Sequence, residues 1–317
     1  MISNNINLAI DYLKNDGIIG LPTETVYGLA GNAFSEKSIK KIFEVKKRPS
    51  FNPLIVHIKC QKELSKIAIE VPEKAKQLAD AFWPGPLTLI LKKQSTISDL
   101  ITANQDTVAV RIPNHPIALE LLNQLEFPLV APSANPFTRI SPTKAVHVEH
   151  YFKNEVDMVL DGGSCTAGIE STIVGFDDDK VVIYRLGALA VDEIEKVVGK
   201  VHFHSKKDEK TITPGMHLKH YAPSTNFILT HDVLETLTLF SGQKIGLLLF
   251  KATIENMNLN QQYVLSEKGS LEEAASQLFE ALHQLDNENF DVIIAEYFPN
   301  YGLGLAINDR LERASRK

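Results

Sequence analysis

The chain has 317 residues, of which 44% are hydrophobic and 23% charged, with two cysteines and a formal net charge of −6. At roughly 100–200 residues per domain the length favours two domains, and the apolar and charged fractions exclude a disordered or collagen-like chain. Cys60 and Cys165 stand far apart in no C-x-x-C pair, which excludes a zinc ribbon or disulfide framework, and the acidic balance means that any basic ligand site must be local.

Met1 to Asp16 has no basic start and no apolar run of signal-peptide length. No stretch approaches the roughly 20 apolar residues that span a bilayer, so a cytoplasmic chain with no membrane partner is expected. Ile6, Ala9, Ile10 and Leu13 form one stripe of a helix over 5–15. A buried strand over 17–21 runs into Pro22, and the hydroxyls and glycines that follow stand where a helix is expected. Helices are also expected over 38–46, 72–82, 116–125 and 142–152. Strands are expected over 53–58, 87–91, 107–112, 129–131, 158–160, 171–174 and 181–185. This is α/β with a twisted mixed sheet of seven or so strands, because several connections are too short for parallel crossovers. From Gly199 to Pro214 the chain turns polar, with Lys206-Lys207-Asp208-Glu209-Lys210 at its centre, which reads as a solvated linker. The last ninety or so residues restart the alternation, with strands over 226–229, 244–250, 262–265 and 291–296 and helices over 232–240, 271–286 and 305–316, a smaller Rossmann-like α/β domain. The expected division is a first domain over 1–200, a linker or lid segment over 201–225 and a second domain over 226–317.

Chemistry concentrates in the first domain. In Gly20-Leu-Pro-Thr-Glu-Thr-Val-Tyr-Gly28, hydroxyls and free backbone at a strand end suit a ligand crevice; the plainer reading is a Thr-rich turn. Residues 36–48 hold six cations against two carboxylates, 6 − 2 = +4 in an acidic chain, the local inversion that polyphosphate binding requires. A solvated helix face accounts for Lys37, Lys40 and Lys41 but less well for Lys46-Lys47-Arg48-Pro49, which precede a loop and a buried strand. His57 lies between Val56 and Ile58, where a lone histidine is more often a satisfied core residue than a ligand. Alternation puts Thr107, Ala109 and Arg111 on one strand face, where an arginine can pair with a carboxylate or phosphate or meet solvent at an edge. Ser133 and Asn135 follow another apolar run. Gly163-x-x-x-x-Gly168 is half a P-loop, but Ile169-Glu170 replace Lys and Ser/Thr, so a Walker site is rejected. Gly302-Leu-Gly304 lacks a third glycine because Ile307 stands there, which argues against a dinucleotide site. The pairs His147/His150, His202/His204 and His217/His220 could each meet on a metal, but no Cys or carboxylate completes a set in sequence, so none is expected to be a structural zinc site.

The ordered segments Pro22-Thr-Glu-Thr-Val-Tyr-Gly-Leu29, Lys46-Lys-Arg-Pro49, Asn52-Pro-Leu-Ile-Val-His57, Trp83-Pro-Gly-Pro-Leu-Thr88, Thr107-Val-Ala-Val-Arg111, Ala131-Pro-Ser-Ala-Asn135 and Glu170-Ser-Thr-Ile173 resemble the YrdC-type domain of threonylcarbamoyl-AMP synthases. Pro214-Gly-Met-His-Leu-Lys-His-Tyr-Ala-Pro223 and Gly302-Leu-Gly-Leu-Ala-Ile-Asn-Asp-Arg310 resemble the two-domain branch of that family. The resemblance implies a nucleotidyltransferase that converts L-threonine, bicarbonate and ATP, with Mg2+, into L-threonylcarbamoyl-AMP and pyrophosphate. The product would feed a downstream tRNA threonylcarbamoyl transferase, and contact with tRNA or double-stranded RNA is a further implied partner. Carried over by motif, Thr25, His57, Arg111, Ala131 and Ser171 surround threonine. Arg48, Asn52, Thr107, Ser133, Ser141, Arg185 and Tyr221 hold ATP, with Tyr221 closing over it. Lys46 and Arg48 act on the phosphates, and the metal rides on those phosphates with no protein ligand. Leu186 stands where the family has proline, which bears on the turn after Arg185. Rival readings are a non-catalytic RNA-binding module and a carbamoyl-transfer enzyme of hydrogenase maturation, whose cysteine pairs and acylphosphatase-like segment are missing here.

Overall fold

The computed structural model describes residues 1–204, 220–255 and 261–316. Most of the polar linker, including His217 and the motif from Pro214 to Lys219, lies outside the described residues. In the first region the strands are β1 (Ile2–Ser3), β2 (Ile19–Leu21), β3 (Gly28–Asn32), β4 (Ile55–His57), β5 (Leu87–Lys92), β6 (Thr107–Arg111), β7 (Leu129–Val130), β8 (Met158–Leu160), β9 (Thr172–Asp177), β10 (Lys180–Arg185) and β11 (His202–Phe203). The α-helices are α1 (Ile6–Lys14), α2 (Glu36–Lys46), α3 (Leu64–Ile67), α4 (Glu73–Phe82), α5 (Asp99–Thr102), α6 (Pro116–Gln124), α7 (Ala145–Phe152) and α8 (Val191–Val198).

Among the described residues these strands make one mixed sheet of eleven, ordered β1-β8-β2-β3-β7-β4-β6-β5-β9-β10-β11, rather than seven or so. The additional strands carry little sequence signal: β1 and β11 are two-residue edges, and β3 reads Gly-Leu-Ala-Gly-Asn. The helix expected after β2 is replaced by β3, which turns back antiparallel to β2 and pairs Ile19 with Ala30. Two glycines are poor helix formers, and once β3 is buried its backbone groups are satisfied by ladder hydrogen bonds. Pro22 to Tyr27 therefore form a turn between paired strands.

Helices α1 and α6 cover the β1–β7 half of one face, with Leu13 and Leu121 packed on Ile19, Leu21 and Leu129. The other face buries the larger core, including Ile39 and Ile42 of α2 and Leu78 of α4. Beyond β7 the first face carries only a small apolar cluster, Ile55, Ile90, Ala109 and Ile173, and there the polar residues gather.

The second region builds a four-stranded sheet from β12 (Asn226–Thr230), β13 (Ile245–Leu249), β14 (Gln262–Val264) and β15 (Val292–Glu296), ordered β12-β15-β13-β14 and parallel throughout. Helix α9 (Val233–Leu239) packs on one face, while α10 (Leu271–Asn287) and α11 (Gly304–Ala314) pack on the other. Ser270 caps α10 by accepting the Glu273 N–H, and the apolar stripe of that helix from Leu271 to Leu285 is buried. The two sheets share a core, because Val26, Ile140 and Ile169 pack with Leu278, Phe279 and Leu311. Gly168, at φ +71, lets the first domain press against α10: a Cβ there would lie 2.3 Å from the Ser276 carbonyl oxygen.

Candidate active site

Local structure explains how the cations arrive. Ser35 caps α2 by accepting the Ser38 N–H, and Lys47 ends the helix in the left-handed region at φ 51. That reversal folds Arg48 back over its own loop, where its guanidinium donates to Asn52 O at 3.2 Å and Pro53 O at 2.9 Å. Lys46 is 1% exposed, and its ammonium donates to the carbonyls of Ser133 and Asn135. Burial and the neighbouring Arg48 push its pKa well down, and the two carbonyls work the other way, since they favour the charged form.

Strands β4 and β6 run parallel with His57 opposite Arg111, which places both side chains on one wall. Arg111 donates to Thr25 Oγ1 at 3.0 Å and to Glu24 Oε1 at 2.5 Å. Burial and Arg111 lower His57 to about 3, so it is neutral near pH 7; its Nδ1 lies 3.2 Å from Ile55 O. The core-histidine and cavity-wall readings of His57 therefore both hold. Thr23 and Thr25 hydroxyls are 2.9 Å apart, and Thr23 also donates to Val26 O. Across the cavity Arg185 donates to Ser171 O at 2.7 Å and to Ser171 Oγ at 3.1 Å, while Thr88 Oγ1 lies 2.8 Å from the same hydroxyl.

Thr25, Arg48, His57, Arg111, Ala131, Ser133, Ser171, Arg185 and Tyr221 thus line one cavity. Lys46, Asn52 and Ser141 do not line it but are buried around it. Both side-chain amide atoms of Asn52 are buried without a hydrogen-bond partner among the described residues. Thr107 departs from the set: it is half-buried at the far end of β6, about 13 Å from Arg111 at the usual strand rise. Sharing a face with Arg111 does not bring it to the same place, because four residues of extended chain separate them.

Three residues in the site were given no role by sequence reasoning. Glu170 lines the cavity and accepts from Ser141 Oγ at 2.6 Å. Its other oxygen accepts from Arg310 Nη2 at 3.1 Å, although Arg310 lies on α11 of the second domain and is 0% exposed. His220 lines the cavity beside Tyr221. Burial and nearby Arg48 and Lys46 drive its pKa well down. Tyr221 takes φ 63, stacks on Phe279 at 5.4 Å and lies under the Arg310 guanidinium at 5.5 Å. The motif segments containing Glu170 and Arg310 were the only available signal, since nothing local indicates that residues 140 positions apart meet as an ion pair.

Free space in the cavity is about 50 Å3, enough for a few waters at roughly 10–15 Å3 each. Arg48, Arg111 and Arg185 face it against one carboxylate among the described lining residues, Glu170, with Lys46 behind. Glu24 and Glu170 are each paired with an arginine, so neither is a ready metal ligand, and no cluster of three metal-ligating side chains occurs among the described residues. The charges and hydroxyls of this lining match a small zwitterion next to an anionic chain, and the fold around it is that of a two-domain α/β ligand-binding enzyme.

A family profile described as "Telomere recombination" matches residues 11–187, and one described as "Threonylcarbamoyl-AMP synthase, C-terminal domain" matches residues 189–316. A Pyrococcus abyssi protein named threonylcarbamoyl-AMP synthase is 40% identical across 98% of this chain and 94% of its own. A Bacillus subtilis protein of that name is 40% identical across 96% of this chain and 90% of its own. A shorter Hahella chejuensis relative with that name is 31% identical across 50% of this chain and 85% of its own. The crystal structure of P. abyssi Sua5 complexed with L-threonine superposes with a TM-score of 0.91 at 39% identity, covering 98% of this chain and 94% of that one. The chain belongs to the two-domain threonylcarbamoyl-AMP synthase family.

Proposed function

We propose that this chain is a nucleotidyltransferase that makes L-threonylcarbamoyl-AMP and pyrophosphate from L-threonine, bicarbonate and ATP, for tRNA modification by a downstream transferase in the cytoplasm. The observation that carries the reading is the pairing of a hydroxyl-lined niche, Thr25 with Arg111, with a cationic wall of Arg48 and Arg185 in one cavity. The superposing Pyrococcus protein is complexed with L-threonine, which supports the same assignment.

In this mechanism Arg111 clamps the threonine carboxylate, exchanging part of its contact with Glu24, and Thr25 and Ser171 meet the polar atoms of the amino acid. Charge-assisted contacts of this kind are the strong ones in a dry site. Bicarbonate takes up a proton and loses water to give carbon dioxide, the neutral threonine amine adds to it, and the adduct releases a proton to solvent to leave the carbamate. A carbamate oxygen attacks the α-phosphate of ATP in line, and the bond to pyrophosphate breaks. No side-chain nucleophile takes part, so the protein acts by positioning and by neutralising charge. Lys46 and Arg48 would meet the phosphates, and Asn52, Ser133, Ser141 and Arg185 the nucleoside, while Thr107, outside this cavity, would reach the nucleotide only if it extends along β6. The unsatisfied Asn52 amide supports such a role, because buried polar groups ordinarily have partners. Mg2+ would enter as the nucleotide complex and supply charge neutralisation for the leaving pyrophosphate. Nucleotide sites commonly span about 300–1,000 Å3, so Tyr221 and His220 must shift outward to admit ATP and then close over it.

The test is ATP–pyrophosphate exchange in the full chain, which should require both threonine and bicarbonate. Exchange independent of threonine would reject the reading, and binding of double-stranded RNA without any exchange would favour the RNA-binding module instead.

A further inference from the structure

The second sheet holds a larger cavity that the proposed reaction does not use. It measures about 700 Å3 and opens at the carboxyl ends of parallel strands. His231 follows β12, Lys251 lies just past β13, Glu296 ends β15 and Tyr297 follows it, and Asn308 and Glu312 of α11 form a side wall. Neighbouring strands β12 and β15 send the chain to opposite faces of the sheet, toward α9 and α11 respectively. That divergence is a topological switch point, the place where open α/β sheets form ligand crevices.

The lining selects a ligand class. The rings of His231 and Tyr297 stack on each other, with centroids 4.0 Å apart and planes 11° from parallel, a rigid aromatic pair whose outer face can take a planar heterocycle. One oxygen of Glu296 accepts the Phe250 N–H at 2.5 Å, and among the described residues no hydrogen bond engages the other, which suits a sugar hydroxyl. Burial also raises this carboxyl. The amide of Asn308 is taken up by Phe298, donating to its carbonyl and accepting its N–H at 2.9 Å each, so it fixes the wall rather than the ligand. Two carboxylates face one lysine, which disfavours a phosphate chain, and neither Gly302 nor Gly304 lines the crevice.

The side-wall helix also reaches the first cavity. Arg310 of α11 holds Glu170, and the Arg313 carbonyl accepts the His220 N–H at 3.4 Å. One eleven-residue helix therefore touches the crevice through Asn308 and Glu312 and the proposed active site through Arg310 and Arg313. The shorter Hahella relative carries the same name while matching half of this chain.

We propose that this crevice binds a nucleoside, a planar base with a hydroxylated sugar and no phosphate chain, and that its occupancy alters turnover in the first cavity through α11. The coupling rests on the reaction proposed above; the binding does not. Any such coupling requires the ligand to favour one arrangement of α11 over another.

Equilibrium dialysis of the full chain with adenosine tests the binding. The wild type should retain adenosine, and Tyr297→Ala should weaken it about tenfold, the scale of one lost base–aromatic stack. Glu296→Gln should weaken it too, and serves if Tyr297→Ala fails to fold. Arg48→Ala should leave adenosine binding intact, and AMP should bind less tightly than adenosine. No retention of adenosine, or retention kept at full strength by both Tyr297→Ala and Glu296→Gln, overturns the proposal. Saturating adenosine should change threonine-dependent exchange several-fold in the wild type by an amount that Tyr297→Ala removes. An equal response in both proteins rejects the coupling, whereas a wild type with no exchange at all counts against the reaction and not against the crevice.

Discussion

Arg111 is held by a carboxylate before any substrate arrives, and this sets the outcome of its removal. Glu24 is 6% exposed and Arg111 3%, so Arg111→Ala strands a buried charge, at a cost of about 3–5 kcal/mol. Threonine-dependent exchange should vanish while ATP still binds, measured by calorimetry; equal loss of both would refute the carboxylate-clamp role. Pairing the change with Glu24→Gln should recover most of the stability in thermal melts without recovering exchange, which separates the structural part from the catalytic part. The hydroxyl niche carries its own expectation. Valine should be rejected by several orders of magnitude, because the site's hydroxyl contacts would be left unpaired, and serine should be rejected far less.

At the scale of elements, the turn after α2 and the contact of α10 with the Gly168 loop hold the site's two sides. Ser35→Ala removes the cap of α2 and should cost about 1 kcal/mol, visible as a lower melting temperature. Gly168→Ala should cost more, since a Cβ would collide with the Ser276 backbone at a positive φ, and should weaken exchange by lifting α10 and Phe279 from Tyr221. Undiminished exchange with full stability in Gly168→Ala would contradict that packing. Most helices and strands were legible because apolar residues recur at helical or strand spacing, as in α10 and β6. Strand β3 was not, because its burial comes from the neighbours β2 and β7 rather than from its own residues. Arg48 was legible from the local charge inversion and Ser133 from its place past a strand end, Arg185 took a cavity role only through the motif set, and Thr107 shares a strand face with Arg111 without lining the cavity, because a shared face carries no information about distance along the strand.

Across the whole molecule, acid is the condition most revealing of how the domains are joined. Burial lowers His57 and His283 to about 3 and His147 to about 4. Unfolded histidines titrate near 6.5, so between that value and the folded ones the unfolded chain binds more protons. Stability should therefore be full above about pH 6.5 and fall as the pH drops toward 4, as urea titrations at successive pH values would register. His147 and His283 stack 3.9 Å apart across the interface, close to Lys144, His150, Glu280 and Asp286. His283→Gln should flatten the pH slope, and an unchanged slope would remove that residue from the account. A chain ending at Lys200 loses the roof residue Tyr221 and the Arg310 anchor of Glu170. It should bind threonine while turning over poorly, and full exchange in that fragment would reject the closing role of Tyr221.

Periodicity and local charge are properties of contiguous residues, so the order of amino acids was enough to establish the α/β class, the two alternating regions and the chemical character of the site. Only the folded chain reveals that Arg310 neutralises Glu170, that Glu24 holds Arg111, and that Tyr221 rests on Phe279. Those contacts join residues far apart in the chain, and they form only when burial in a shared core makes an unpaired charge too costly to leave.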